Sequence, residues 1–104
     1  MGIDASWTTE NGEFLQRVLD PRECLSLLAN TTWPSLTTSV CVRFIDPYGD
    51  VKFNQAQIPL LLAELKESLV GQTDSEITMH LGKVIRMVER SVGEKHTYIE
   101  FFGD

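Results

Sequence analysis

The dipeptide Asn11-Gly12 is the feature that most limits how this chain can fold. Both residues tolerate positive φ angles, and an Asn-Gly pair between two strand-like segments favours a two-residue hairpin turn. Alternating apolar and polar residues precede and follow the pair, so we predict a β-hairpin with strands over residues 2–9 and 13–19. Any fold for this chain must therefore begin with two antiparallel strands.

The length of the turn also determines which side chains share a face of the hairpin. A two-residue loop places Ala5 opposite Val18, Trp7 opposite Gln16 and Thr9 opposite Phe14. The predicted core face consists of alternate apolar residues, which are Ile3, Ala5, Trp7, Phe14 and Val18. The opposite face carries Asp4 and Arg17, which are placed for a diagonal ion pair.

Three segments carry helix signals. Residues 20–23 (Asp-Pro-Arg-Glu) combine a capping residue, a proline at the first helical position and a glutamate at the reciprocal cap, which predicts a helix to about Ala29. Apolar residues recur at helical spacing over 55–70. A capping box at 73–76 (Thr-Asp-Ser-Glu) begins the longest helix, which is predicted to end near Val92.

Three further segments are predicted strands. Residues 40–45 are rich in β-branched and aromatic side chains. They lead into residues 46–49 (Asp-Pro-Tyr-Gly), whose residue types favour a type I turn, and residues 51–54 return as a short partner strand. Residues 97–102 form the last predicted strand, and the large apolar groups on both of its faces suggest an interior position or contact with a partner.

The predicted elements occur in the order ββαββααβ. We therefore expect a single α+β domain over residues 1–104, with a mainly antiparallel sheet of about five strands and three helices packed on one face. Hydrophobic residues make up 42% of the chain, which is enough to bury a core without metals or disulfides at this size. Cys24 and Cys41 have no metal-binding spacing and are interpreted as buried hydrophobic residues.

The net charge of −6 limits the classes of partner. Nucleic acids and anionic membrane surfaces require clusters of Lys and Arg, so neither is expected to bind. A basic protein remains a compatible partner. No signal peptide and no apolar run long enough to span a bilayer is evident, so a cytoplasmic protein is expected.

No nucleotide, metal or catalytic motif is present, and no cofactor and no metal are expected. The most suggestive side chains are instead aromatic residues and carboxylates in loops. Trp33 lies in the longest loop, Tyr48 at a turn, and carboxylates flank both turns. We predict a non-enzymatic protein-interaction module that presents an acidic surface with exposed aromatics to another protein, as immunity-type toxin inhibitors do. The predicted contact residues are Trp33, Tyr48, Asp46, Asp50, Glu10 and Glu13.

Two alternatives remain open. The first is a small enzyme or ligand-binding domain that uses His80 or His96 with a nearby carboxylate. That hypothesis requires a pocket of roughly several hundred Å³ that is lined by a histidine with a carboxylate within reach. The second is self-association through an open sheet edge, and a homodimer is compatible with either function.

Overall fold

The fold was analysed in a computed structural model that describes residues 2–36 and 38–103. Residue 37, in the predicted loop after the first helix, lies outside the described residues. The strands are β1 (Asp4–Thr9), β2 (Phe14–Val18), β3 (Asp50–Phe53) and β4 (Thr97–Phe102). The helices are α1 (Cys24–Thr31), α2 (Ile58–Leu69) and α3 (Ser75–Ser91), and two 3₁₀ turns, Trp33–Ser35 and Val42–Phe44, lie between α1 and β3.

The strands form one antiparallel sheet in the order β2-β1-β4-β3. The predicted α+β class is therefore confirmed, but the sheet has four strands in the described part of the chain rather than about five. The last strand, β4, lies between β1 and β3, in the interior position that its two apolar faces suggested.

Helix α3 lies across the inner face of the sheet and contacts β1, β4 and β2, while α1 and α2 pack against α3. The N-terminus of α3 is capped by Asp74, whose carboxylate accepts hydrogen bonds from the N–H groups of Glu76 and Ile77. Within residues 2–36 and 38–103, no helix has the length and apolarity needed to cross a lipid bilayer. The buried core includes Ala5, Phe53, Leu81, Val84, Met87, Val88, Ile99 and Phe101.

The predicted strand over residues 40–45 is wrong, because this segment forms a 3₁₀ turn. The Glu64 carboxylate of α2 accepts hydrogen bonds from the N–H groups of Val40, Cys41 and Val42 at 2.8, 3.0 and 2.9 Å. Backbone N–H groups of successive strand residues point to opposite sides, so three that converge on one carboxylate cannot belong to a strand. Cys41, Val42 and Ile45 are buried in the core, whereas Val40 and Phe44 are exposed.

The first hairpin has a longer loop than predicted. Thr9 N donates to Glu13 O at 2.9 Å, Gly12 N donates to Thr9 O at 3.0 Å, and Gly12 alone in the loop has a positive φ, of 84°. This is the pattern of a three-residue loop, in which a type I turn is followed by a glycine in the left-handed region. The extra loop residue shifts the strand register by one position.

A bulge in the hairpin restores the predicted register. Next to the loop, Phe14 faces Thr8 rather than Thr9, and the register shifts between Trp7 and Thr8. Phe14 consequently lies on the outer face of the sheet, where its ring meets that of Phe102 at a centroid distance of 6.0 Å. Its predicted place on the core face is therefore wrong. The predicted pairs Ala5–Val18 and Trp7–Gln16 are confirmed.

Candidate functional site

The carboxylates predicted to form one interaction surface lie at opposite ends of the sheet. Glu10 and Glu13 belong to the loop between β1 and β2, next to the first residue of β4. Asp50 faces the last residue of β4 across the sheet, and Asp46 lies in the turn before it. Six residues of β4 separate the two ends, which corresponds to about 17 Å. The structure therefore does not bring these four carboxylates together.

The prediction that Trp33 is exposed is wrong. Its side chain has 0% exposure, and its indole Nε1 donates a hydrogen bond to Ser68 Oγ of α2 at 3.0 Å. A 3₁₀ turn begins at Trp33 and brings the ring back over the helices. Because the indole N–H is satisfied inside the protein, Trp33 is a core residue rather than a binding anchor.

Tyr48, unlike Trp33, is 78% exposed. It lies in the turn over residues 46–49, where Asp46 Oδ1 accepts a hydrogen bond from Tyr48 N at 2.9 Å and Gly49 N donates to Asp46 O at 3.4 Å. Asp46 thus holds the turn as its position in a type I turn predicts. The turn presents an aromatic side chain to solvent.

A groove of about 670 Å³ between β2 and α3 was not predicted from the sequence. Four consecutive residues at the end of the hairpin, 16–19, line this groove. Residues 16–18 belong to β2, and successive side chains of a strand point to opposite faces, so a groove that touches all three runs along the edge of the strand. β2 is an outer strand of the sheet, and its second edge has no strand partner in the described chain. Because Lys and Arg side chains make up much of its lining, we call this feature the basic groove.

Five of the nine Lys and Arg residues line the basic groove. Three of them come from α3, at spacings of three and four residues, so they form one stripe along the helix. The groove is therefore positive in a chain whose net charge is −6. The five residues are Arg17, Arg22, Lys83, Arg86 and Arg90.

Polar contacts join the two walls of the groove at each end. At one end, Arg90 Nη1 of α3 donates a hydrogen bond to Gln16 Oε1 of β2 at 3.2 Å. At the other end, Arg22 Nη1 lies 3.5 Å from Glu76 Oε1. Both contacts cross from the hairpin side to α3, and both are exposed to solvent.

Lys83 and Arg86 lie on α3 between these two contacts. Neither forms an ion pair with a carboxylate of residues 2–36 or 38–103. The other cations are engaged, and Arg17 lies 3.7 Å from Asp4 Oδ2 and over the Phe14 ring. The centre of the groove thus has two cations without a counterion among the described residues.

Asp20 lies fully buried beside the groove. Its carboxylate accepts hydrogen bonds from Cys24 N at 2.7 Å, Leu25 N at 3.0 Å and Ile3 N at 3.1 Å. The prediction that Asp20 caps α1 is confirmed in its contacts, although the residue at the helix boundary is Glu23, in a left-handed conformation with a φ of 56°. Asp20 joins the start of α1 to the residue before β1.

The structure separates the two histidines. His80 of α3 lines the groove with 11% of its side chain exposed, and its Nε2 lies 3.5 Å from Asp20 Oδ1 without a hydrogen bond. His96 lies outside the groove, exposed, with Nδ1 3.2 Å from Glu10 Oε2. The geometric condition for a ligand-binding site, a pocket with a histidine and a nearby carboxylate, is met at His80.

Burial has the largest effect on the titration of His80 and lowers its pKa below 6.5. Lys83 lowers the pKa further, whereas the Asp20 carboxylate opposes the shift. His80 is therefore neutral at pH 7. An uncharged ring at the groove wall adds no positive charge to the site.

Cys24 also lines the groove, so Cys, His and Asp side chains occur together there. Burial raises the pKa of the Cys24 thiol, and the carboxylates of Asp20, Glu76 and Asp74 raise it further. Reactive cysteines require the opposite shift, because the thiolate is the nucleophile. The buried, negatively charged environment of Cys24 therefore disfavours a nucleophilic role for its thiol.

The described part of the chain contains no cluster of three or more side chains suited to hold a metal ion. The lining of the groove is instead suited to anions, through Arg and Lys side chains that bind carboxylates by charge-assisted hydrogen bonds. Comparisons with protein-family models, with curated proteins and with solved structures found no match.

Proposed function

We propose that this domain is a non-enzymatic protein-interaction module, and that the basic groove binds an acidic segment of its partner. One observation carries the proposal: five of nine cationic side chains line a single groove in a chain of net charge −6. Complementary charge across an interface speeds association and selects the partner. The two central cations, Lys83 and Arg86, would gain their counterions from that partner.

The apolar part of the groove narrows the chemistry of the partner. Leu19 is 57% exposed and Met79 is 65% exposed, and both line the groove. Apolar side chains beside the cations add burial to the charge contacts, and methionine adapts to irregular partner surfaces. A segment that carries both carboxylates and aliphatic side chains fits this lining better than a small inorganic anion.

Catalysis is less well supported than binding. The buried, neutral ring of His80 and the protonated thiol of Cys24 provide neither a strong base nor an activated nucleophile. A ligand-binding role for the same groove remains the alternative. A small polycarboxylate such as citrate would then bind by itself and displace an acidic peptide.

The proposal is tested with a fluorescein-labelled peptide of alternating glutamate and valine. Its affinity is measured by fluorescence anisotropy at low and at physiological salt. The double variant Lys83→Ala/Arg86→Ala should weaken binding about tenfold, because it removes two charge contacts between the groove and the peptide. Each such contact contributes about 0.2–1 kcal/mol or slightly more to the binding free energy. Salt should weaken binding to the wild-type protein more than to this variant.

The matched control is Arg43→Ala/Lys95→Ala. It removes the same two charges from exposed positions that do not line the groove, and its affinity should stay within about twofold of the wild-type value. Equal losses in the two double variants would mean that net charge, and not the groove, governs binding. The proposed function would then be abandoned.

The exposed Tyr48 favours a second candidate surface. Its ring stands between Asp46 and Asp50 in the sequence, so this turn presents an aromatic group with two carboxylates, as the predicted acidic surface for a basic partner requires. Binding to a basic protein that is lost in Tyr48→Ala and retained in Lys83→Ala/Arg86→Ala would support this surface. The opposite pattern would support the groove.

A further inference from the structure

We propose that the acidic segment binds in an extended conformation and pairs with the free edge of β2 as an added fifth strand. This inference rests on the proposed function and specifies how the partner is held. Strand addition of this kind obtains affinity from main-chain hydrogen bonds and specificity from alternate side chains. The basic groove has the position, the length and the charge spacing that this mode requires.

The position of the groove is the first argument. It follows the edge of β2, as its contact with residues 16–18 of that strand shows, and that edge has no strand partner in the described chain. The bulge lies at the loop end of β2, so residues 16–18 offer a regular stretch up to the last residue of the strand. Three residues span about 10 Å, which is enough to pair with one short strand.

The spacing of the cations is the second argument. The contact between Arg90 of α3 and Gln16 of β2 shows that the inner side of this edge faces α3. Alternate side chains of an added strand point to the same side about 6.6 Å apart. Side chains three residues apart on a helix, such as those of Lys83 and Arg86, lie about 5–6 Å apart. Two alternate carboxylates of the strand can therefore each meet one cation.

Charge disfavours the simplest competing occupant of the edge, a second copy of this chain. Pairing of β2 with β2 would place two sets of five groove cations against each other. Like charges across an interface oppose association. The same cations favour a segment that carries carboxylates, so the partner is an acidic strand of another protein.

The test uses three synthetic hexapeptides of alternating glutamate and valine. One is unmodified, one is N-methylated at every glutamate, and one is N-methylated at every valine. In an extended chain these two sets of residues direct their N–H groups to opposite edges, so each methylated peptide has one blocked edge and unchanged charge. Binding to the full chain is measured by anisotropy, and amide hydrogen exchange is followed for residues 16–19.

If a strand is added, one methylated peptide should bind at least about tenfold more weakly than the unmodified peptide, because its inter-strand hydrogen bonds are lost. The unmodified peptide should also slow amide exchange within residues 16–19. Equal affinity of all three peptides, or slowed exchange in α3 alone, would overturn strand addition while leaving the proposed function standing. Tighter binding of a single-stranded oligonucleotide than of any peptide would also overturn it.

The two proposals fail in different ways. Loss of affinity in Lys83→Ala/Arg86→Ala tests whether the groove binds the acidic segment at all. The difference between the methylated peptides tests only how the backbone of that segment is held. A peptide that depends on the two cations but not on its own N–H groups therefore contradicts the second proposal alone.

Discussion

The carboxylate of Asp20 connects three parts of the chain at one buried point. It accepts hydrogen bonds from the residue before β1 and from the first two residues of α1, and it lies next to His80 of α3. A buried N–H group that loses its acceptor destabilises the folded state by the full free energy of its desolvation. Much of the geometry beside the groove therefore depends on one side chain.

Replacement of this carboxylate should be strongly destabilising. Asp20→Ala leaves three buried N–H groups without an acceptor, and we expect a loss of about 3 kcal/mol or more in the free energy of unfolding. Urea denaturation measures the loss. Asp46→Ala is the control, because that exposed side chain accepts one hydrogen bond in a turn, and its cost should be about 1 kcal/mol or less. Similar costs for the two variants would contradict the central role of Asp20.

His80 should make stability dependent on pH. Its pKa is lowered in the folded protein, so the unfolded state takes up a proton first as the pH falls through 6.5. Stability contributed by the neutral ring is therefore complete above that pH and is lost as the pH falls toward the folded-state pKa. The charged groups that act on the ring are Asp20, Lys83 and Asp4.

The measurement is the free energy of unfolding between about pH 7 and pH 5, below which the carboxylates also contribute. His80→Gln should show a shallower fall over this range than the wild-type protein. His96→Gln, at an exposed position, controls for the loss of a histidine. An unchanged slope in His80→Gln would show that His80 does not titrate as the structure implies.

Single residues also mark where the sequence could and could not predict the structure. Asp20 was identified as a cap because Asp before Pro at a helix start is a local signal. Trp33 is predicted to be an exposed contact residue because it lies in the longest loop, but it is buried, and its indole donates a hydrogen bond to Ser68, 35 positions away along the chain. A contact at that separation leaves no pattern in the neighbouring residues.

At the scale of elements, Glu64 decides the structure of a segment that is distant in sequence. Its carboxylate accepts the N–H groups of Val40, Cys41 and Val42 and replaces the strand partner that their side chains would favour. The β-branched and aromatic composition of residues 40–45 correctly indicates burial of Val42 and Ile45, but not a place in the sheet, and Val40 and Phe44 are exposed. Strand propensity mainly reflects packing on a half-buried surface, and a 3₁₀ turn on the core satisfies that packing.

Removal of this carboxylate should loosen the segment. Glu64→Ala is expected to lower the free energy of unfolding by about 1–3 kcal/mol and to speed amide exchange at residues 40–42. Glu67→Ala is the control, since Glu67 is exposed on the same helix and has no hydrogen bond with residues 40–42, whose N–H groups donate to Glu64. Exchange at residues 40–42 that remains slow in Glu64→Ala would mean that packing alone maintains the turn.

The elements that the sequence did predict are those with local signals at both ends. Helices α2 and α3, strand β4 and the turn over residues 46–49 follow from helical spacing, the cap at Asp74 and the turn residues. The bulge in the first hairpin was missed because Asn11-Gly12 fits loops of two and of three residues. Which of the two loops forms depends on the pairing of β1 with β2 at positions farther from the loop.

For the whole molecule, the distribution of charge over the surface says more about the binding partner than the net charge does. The net charge of −6 argued against anionic partners, yet five of nine cations gather in one groove. The stripe of Lys83, Arg86 and Arg90 is visible in the sequence as a helical period. The groove cannot be predicted from this stripe alone, because it also needs Arg17 and Arg22, which only the fold brings beside α3.

The two cysteines should report on unfolding of the whole molecule. Cys24 and Cys41 are free and buried, burial raises both thiol pKa values, and that of Cys41 rises to about 11. At pH 8 a thiol-specific reagent such as 5,5′-dithiobis(2-nitrobenzoic acid) should therefore label the native protein about a thousandfold or more slowly than the unfolded chain. The labelling rate should rise with urea in step with the unfolding equilibrium. Rapid labelling in buffer would show that one cysteine is reached by local opening.

Both walls of the basic groove are regular elements that are also packed on the core, β2 through its pairing with β1 and α3 through its buried stripe. The backbone of the receptor side therefore has little conformational freedom left to lose when a ligand arrives. The backbone part of the entropy cost of complex formation must fall mainly on the incoming segment, which has to straighten, while the receptor loses entropy mainly in side chains such as Lys83 and Arg86. Partners that are already extended and rigid should for that reason be preferred over flexible ones of the same composition.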